Sequence, residues 1–156
     1  MLDLQEISDR LEIQNQLVCY ANALDLRDFD RLDEVFTPDA YIDYRALGGV
    51  DGSYTRIKAW LQPILANFPA YFHLNANMEI TLDGDEARSR TLCFNPMETP
   101  LPDGGTQVMF LGLWYRDHWV RTPAGWRISE RIEEKSIEYN VPPGITIGPD
   151  AINEVN

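Results

Sequence analysis

The hydrophobic period of this chain changes once, and that change governs what it can fold into. Up to about residue 67, apart from a short alternating run at 40–46, the apolar residues recur every three or four positions, as along one face of a helix; from Tyr71 onward they recur every second position, as along one face of a strand. Helices first and antiparallel hairpins afterwards predict an α+β domain with helices packed on one face of a curled antiparallel sheet. With 156 residues, no internal repeat and no low-complexity linker, the chain reads as one domain over 1–140 followed by a tail, 141–156, without clear structure.

A first helix is expected over Leu4–Leu26, capped by Asp3. Asp28 is the expected cap of a short second helix carrying Phe29, Leu32, Val35 and Phe36, with Pro38 as its stop. "AYIDYRA" alternates like a short strand, "GGVDGS" is a turn, and a third helix follows from about Tyr54 to Asn67, kinked or shortened by Pro63. "YFHLNANMEITL" and "EARSRTLCFNP" then read as strands joined by a tight turn at "DGD". After a "TPLPDGG" loop come a long strand, "TQVMFLGLWYRDHWV", a turn, and a last strand, "WRISERIEEKSIEY". The consecutive apolar residues of "VMFLGLW" require cover on both faces. In "YFHLNANMEITL" Phe72, Leu74, Ala76 and Met78 form one face and Tyr71, His73, Asn75 and Asn77 the other. Helices cover only one side of the sheet, so the other apolar side is expected to pack against another subunit.

Acidic residues outnumber basic ones 25 to 13, a net charge of −12. That charge repels phosphate backbones and anionic lipid surfaces, which excludes nucleic acid and membranes as expected partners and leaves small molecules open. Cys19 and Cys93 lie in apolar runs and read as buried thiols, and two histidines, His73 and His118, without zinc spacing suggest no metal site. No leader-like opening or apolar run of about 18 residues appears, so a cytoplasmic protein is expected.

Two residues stand out against this pattern. The stripe Ile7, Leu11, Gln14, Val18, Ala21 continues at Asp25, five whole turns beyond Ile7, placing a carboxylate where a core residue is due. Unless Asp25 simply caps the next element, such a group must find a partner. His73 shares its strand face with Tyr71, Asn75 and Asn77; that face lines a cavity or faces water. An imidazole is the natural partner of a buried carboxylate, which fixes its tautomer and leaves the other ring nitrogen as a base. Tyr20, about 140° around the helix from Asp25, borders the same face and is either packing or a hydrogen-bond donor to a leaving oxygen or an enolate. Arg131 alternates with Arg127, Ser129 and Glu133 and suits a cross-strand salt bridge. His118 reads as surface; Trp60, Trp114, Trp119 and Trp126 read as core, a few of them able to wall a pocket.

Taken together, "YANALDLRDFDRLDEVFTPDA", "FHLNANMEITLDGDEARSR" and "GWRISER" resemble the SnoaL-like branch of the nuclear-transport-factor-2-like superfamily. The resemblance spans roughly residues 4–138 and implies a cystatin-like α+β cone: a curved sheet closed by three N-terminal helices around a deep pocket. Among its members the pattern is most similar to scytalone dehydratase, bile acid 7α-dehydratase and hexachlorocyclohexane dehydrochlorinase. It implies Asp25 and His73 as an acid–base dyad, Tyr20 as the dehydratase tyrosine and Arg131 as a further catalytic residue. Asn75, Asn95, Trp114 and Phe110 complete the expected substrate-binding set. "CFNPMET" departs from the pattern by carrying Asn95 and Pro96 where one relative has an acid. The expectation is a cofactor-independent lyase acting by β-elimination on a small apolar ring compound, as a homotrimer. A proton-shuttling isomerase and a non-catalytic binding or assembly module are the alternatives.

Overall fold

The computed structural model describes residues 1–142, so almost all of the expected tail lies outside the described residues. Helix α1 spans Leu4–Asp25 and opens on a reciprocal cap. Asp3 Oδ1 accepts from Glu6 N–H at 2.8 Å and Glu6 Oε2 accepts from Asp3 N–H at 3.0 Å. A 3-10 turn, Phe29–Glu34, takes the place of the second helix; the Asp28 side chain does not cap it. Strands β1 (Phe36–Asp43) and β2 (Asp51–Ser53) flank a second 3-10 turn, Arg45–Leu47, and helix α2 covers Tyr54–Leu65. Pro38 lies inside β1 instead of closing a helix, in a stretch where the ladder to the neighbouring strand skips from Phe36 to Tyr41.

The remaining strands are β3 (Leu74–Asp83), β4 (Glu86–Pro100), β5 (Thr106–Thr122) and β6 (Gly125–Tyr139). They form one six-stranded sheet in the order β2-β1-β6-β5-β4-β3. Every ladder is antiparallel except β1–β6, which is parallel, so the curved sheet is mixed and unclosed. Strands this long bend at their register shifts, at Gly112/Leu113 and His118/Trp119 between β5 and β6 and at Ala76/Glu79 between β3 and β4. The result is the expected α+β cone, with α1 and α2 packed into its concave side.

Two face assignments differ from expectation. In α1 the buried stripe is Asp9, Ile13, Leu17, Tyr20 and Leu24, whereas Ile7, Leu11 and Val18 are exposed. Both stripes are apolar, so the residue spacing alone allowed a phase about 100° off. In β3, Asn77 adopts φ 48° at the bulge and reverses the alternation. Before the bulge Phe72 and Leu74 are exposed and His73 and Asn75 face inward, as expected; after it Met78, Ile80 and Leu82 pack on the core and Asn77 leaves the His73 face.

The N-terminal half of α1 is pinned to the β5–β6 hairpin by a buried acid. Asp9 accepts from Arg121 Nη1 and Nη2 at 2.7 and 2.8 Å and from Trp126 Nε1 at 3.0 Å. The Arg121 hydrogen bonds, outweighing burial, hold the Asp9 carboxyl well below the usual carboxylate range. Its contribution to stability is therefore present above the unfolded carboxylate pKa and lost as pH falls toward the native one. Replacing Asp9 by Asn is expected to cost about 3 kcal/mol in urea unfolding at neutral pH, and less as the pH is lowered, because a paired arginine loses its counter-charge.

Candidate active site

The site is assembled where α1 stops. Leu26 ends the helix, Arg27 turns into the left-handed region at φ 57°, and two bonds close the end: Arg27 N–H to Leu24 O at 3.0 Å and Asp28 N–H to Ala23 O at 2.9 Å. The Arg27 guanidinium then donates to Leu65 O at 3.0 Å and Phe68 O at 2.7 Å, capping the end of α2, and lies over the Tyr71 ring at 5.0 Å. Tyr71 returns a bond from its hydroxyl to Leu24 O at 2.9 Å. The ends of both helices and the segment entering β3 are thus tied together, two residues before His73.

Asp25, the last residue of α1, accepts twice from His73: Oδ2 from the backbone N–H at 3.0 Å and Oδ1 from Nδ1 at 2.7 Å. A carboxylate only accepts, so the proton sits on Nδ1 and Nε2 carries the free lone pair. The His73 side chain is 7% exposed and that of Asp25 20%. On the other side of His73, Pro96 in β4 has no N–H to return to Phe72 O; the Asn95 side-chain amide donates there instead, at 2.8 Å. Asn95 therefore holds the backbone beside the imidazole.

His73 opens onto a cavity of about 70 Å³ between α1, α2 and the concave sheet. Most of its wall is apolar: Leu24, Leu61, Ile64, Leu65, Phe68, Met97, Leu111 and Leu113. Its polar lining comes from His73, Asn95, Tyr20, Tyr44, Trp60, Tyr115 and Glu133. Tyr20 and Tyr44 share a hydrogen bond of 2.8 Å between their hydroxyls, and the Tyr20 ring meets that of His73 edge-on at 6.3 Å. Burial raises both phenols above their ordinary range, so they serve as donors and not as phenolates. Tyr44 is held in place by Gly49: a Cβ there would lie 2.7 Å from Tyr44 O and 3.1 Å from the Trp60 ring.

Arg131 stands behind this wall. It is fully buried, bonded through Nε and Nη2 to both oxygens of fully buried Asp117 at 2.7 and 2.8 Å. Its guanidinium is clasped between the rings of Tyr20 and Tyr115, each 4.1 Å away. The cross-strand salt bridge expected for Arg131 is present, and it supports Tyr20 from outside the cavity. Three expected substrate-binding residues are not brought to the cavity. Asn75 donates to Leu17 O at 3.0 Å and ties β3 to α1. Trp114 lies under Arg90 on the convex face, 3.8 Å from its guanidinium, and Phe110 stacks there on Phe94 at 5.7 Å. The strict alternation of β5 explains this: Leu111, Leu113 and Tyr115 point inward, so residues 110, 112 and 114 point out. Cys93 is buried and Cys19 half-buried, both as free thiols, and His118 bonds Glu86 and Ser129 away from the cavity.

Among the polar lining residues, Tyr44, Tyr115 and Glu133 were not singled out by sequence reasoning. Tyr44 lies in a segment whose turn geometry depends on Gly49. Glu133 was legible only as an inward-facing position two residues from Arg131. Burial pushes its carboxyl up to about 8, against the pull of the Arg131 charge and with a further push from Asp43. The folded protein thus retains a proton that the unfolded chain releases near pH 4, so stability falls as pH rises through this interval to about 8. The melting temperature is expected to decline between pH 5 and 8, and Glu133→Gln is expected to flatten that slope; an unchanged slope in the variant would assign it to another group.

With this geometry in hand, the chain's relatives can be placed. A SnoaL-like domain model matches residues 5–132, and this protein belongs to that family. It is 58% identical over 138 residues to the uncharacterised protein Rv2910c of Mycobacterium tuberculosis, covering 88% of this chain and 92% of that one. Among solved structures it is similar to the Kfla4162 protein of Kribbella flavida, with a TM-score of 0.78 and 26% identity over 85% of this chain and 94% of that one. A candidate scytalone dehydratase from Novosphingobium aromaticivorans matches with a TM-score of 0.77 at 17% identity, covering 92% and 94% of the two chains. The hexachlorocyclohexane dehydrochlorinase LinA-type3 of Novosphingobium barchaimii matches at 0.75 and 17%, covering 95% and 99%. At these last two identities the likeness is one of fold. Among the described residues no helix is long and apolar enough to cross a membrane.

Proposed function

We propose that this protein is a cytoplasmic, cofactor-independent lyase that eliminates a leaving group from a small, largely apolar ring compound. The observation that carries this reading is the 2.7 Å contact between Asp25 and His73 Nδ1 at the wall of an apolar cavity. His73 Nε2 removes a proton next to an activating carbonyl, Asp25 holds the ring and balances the imidazolium that forms, and the Tyr20–Tyr44 pair donates to the developing enolate. Arg131 acts through Tyr20. A positioned base and a donor are each worth about 10²–10⁴-fold, enough for an activated elimination. The dehydratase and dehydrochlorinase names among its structural neighbours support the same reaction class.

The test uses 3-acetoxycyclohexanone, whose elimination gives cyclohexenone and acetate, alongside cyclohex-3-enone, which an isomerase converts to the conjugated isomer of equal mass. Elimination by the wild type is expected, falling by about 10³-fold in His73→Ala and by about 10²-fold in Asp25→Asn. Conversion of the unsaturated ketone alone would move the protein to the isomerases. Inertness to both, with ring ketones still bound by His73→Ala, would make it a binding module.

We also propose that the convex face is buried in a homo-oligomer, a trimer being the assembly the family resemblance favours. Phe72, Leu74, Phe94, Val108, Ile137 and Tyr139 are exposed together there, and such a continuous apolar surface suits a second copy of the chain. Light scattering should give a multiple of the 17.9 kDa chain mass, reduced by the double change Leu74→Asp and Phe94→Asp; a monomeric wild type would refute it.

A further inference from the structure

Glu133 is an acid in an unusual position. It faces the cavity from the middle of β6, across the concave sheet from His73 on the segment leading into β3. Between them run β5 and β4, three ladder steps or about 14 Å at ~4.8 Å per step. The register sets Glu133 level with Tyr115 and Thr91 but His73 level with Asn95, so the backbones are also offset by about four residues along the strands. Their side chains enter the same cavity from separate walls. A ring lodged between them meets an imidazole on one side and a carboxyl on the other.

The charges around Glu133 leave it without an ionic partner, and the Leu47 backbone N–H, which favours the carboxylate, is outweighed by burial. Arg131, two residues away on the same strand face, is the nearest cation; Asp117 holds its Nε and Nη2, and its buried Nη1 forms no hydrogen bond to Glu133. Glu133 forms no ion pair among the described residues. From the other packed elements it faces only groups that are neutral or negative: Tyr20 on α1, Tyr44 after β1, Asp43 on β1, Tyr115 on β5 and Cys93 on β4. A carboxylate there would be a second negative charge beside a pair already neutralised, in a largely apolar enclosure. A carboxylic acid at this place is neutral and can donate, and the proton it holds up to about pH 8 is available at neutral pH.

We propose that Glu133 is the general acid of this cavity, handing its carboxyl proton to a hydroxyl that leaves the substrate while His73 removes the proton. The proposal rests on the elimination reading above and narrows its substrate class to ring compounds carrying a hydroxyl β to a carbonyl. His73 Nε2 takes the α proton, and the C–H electron pair becomes the new C=C bond. The C–O bond breaks with its electrons on oxygen, and Glu133 protonates that oxygen, which departs as water. Imidazolium and carboxylate remain, and solvent returns the proton from one to the other. No oxidant, reductant or metal enters the balance.

Two probes that differ only in the leaving group test this. 3-Hydroxycyclohexanone needs its oxygen protonated, whereas 3-acetoxycyclohexanone releases acetate with little need of an acid. Glu133→Gln is expected to raise the acetoxy-to-hydroxy rate ratio about 100-fold relative to wild type, and the acetoxy reaction reports whether the variant's site is intact. In the wild type the hydroxy reaction should weaken above about pH 8, and infrared difference spectra against Glu133→Gln should show a protonated carboxyl band at pH 7. An unchanged ratio, or a carboxylate band at pH 7, overturns the role of Glu133 while elimination stands. A wild type inert to both probes defeats the elimination reading itself and the general acid with it.

Discussion

The left-handed Arg27 at the end of α1 is the constraint on which the cavity depends. An arginine at φ 57° is unfavourable, since only glycine takes this region freely, and the bonds it permits offset the cost. With the helix stopped there, Asp25 is its last residue and meets both His73 nitrogens, main-chain and ring. The same guanidinium satisfies two carbonyls at the end of α2 and covers Tyr71. One residue therefore sets the distance between the two helices that roof the cavity and the angle at which β3 enters the sheet. Continuing α1 by one turn would remove both the dyad and the cap on α2.

The interior charges are arranged so that nearly every one has a partner fixed by the sheet register. Asp117 and Arg131 are direct neighbours across β5 and β6, and their mutual bonds leave the guanidinium faces to Tyr20 and Tyr115. Asp9 is matched by Arg121 and Trp126, and Asp25 by His73. Buried pairs of this kind add little net stability, but each fixes a register or an orientation that apolar packing alone leaves free. Glu133 is the exception inside this arrangement, and its isolation gives the cavity a carboxyl group unlike the other acids.

Much of the architecture could be read from the chain. The move from a three-to-four period to a two-residue period marked the boundary between α2 and β3. The hairpin at Gly84 and Asp85 followed from "DGD", where Gly84 takes φ 62° at the first loop position. The pairing of Asp25 with His73 was also legible, although it rested partly on a helix phase that the structure corrects: the buried stripe ends at Leu24, and Asp25 reaches His73 because the helix stops there. Phe110 and Trp114 were misplaced because a run of seven apolar residues does not say which alternate set faces inward. Asn77 was misread for another reason, since a bulge reverses alternation without any local mark beyond an asparagine that tolerates positive φ, whereas Asn75, before the bulge, faces inward as expected but gives its amide to Leu17 O.

By itself the sequence determined the order and kind of the elements, the strong negative charge, and which acid and which histidine stand close enough to the same boundary to meet. The elements are local properties, set by neighbours two to four residues apart and by turn chemistry, whereas Asp25 and His73, 48 positions apart, were matched by their complementary chemistry. Tertiary structure alone decided which helix face is buried, which aromatic residues wall the cavity, that Tyr44 joins Tyr20, and that Glu133 is left with its proton. Each of those depends on contacts between residues far apart in the chain. Whether a carboxyl ionises is settled by how much water reaches it and by which other acid has already taken the nearest arginine, and neither is written in the residues beside it.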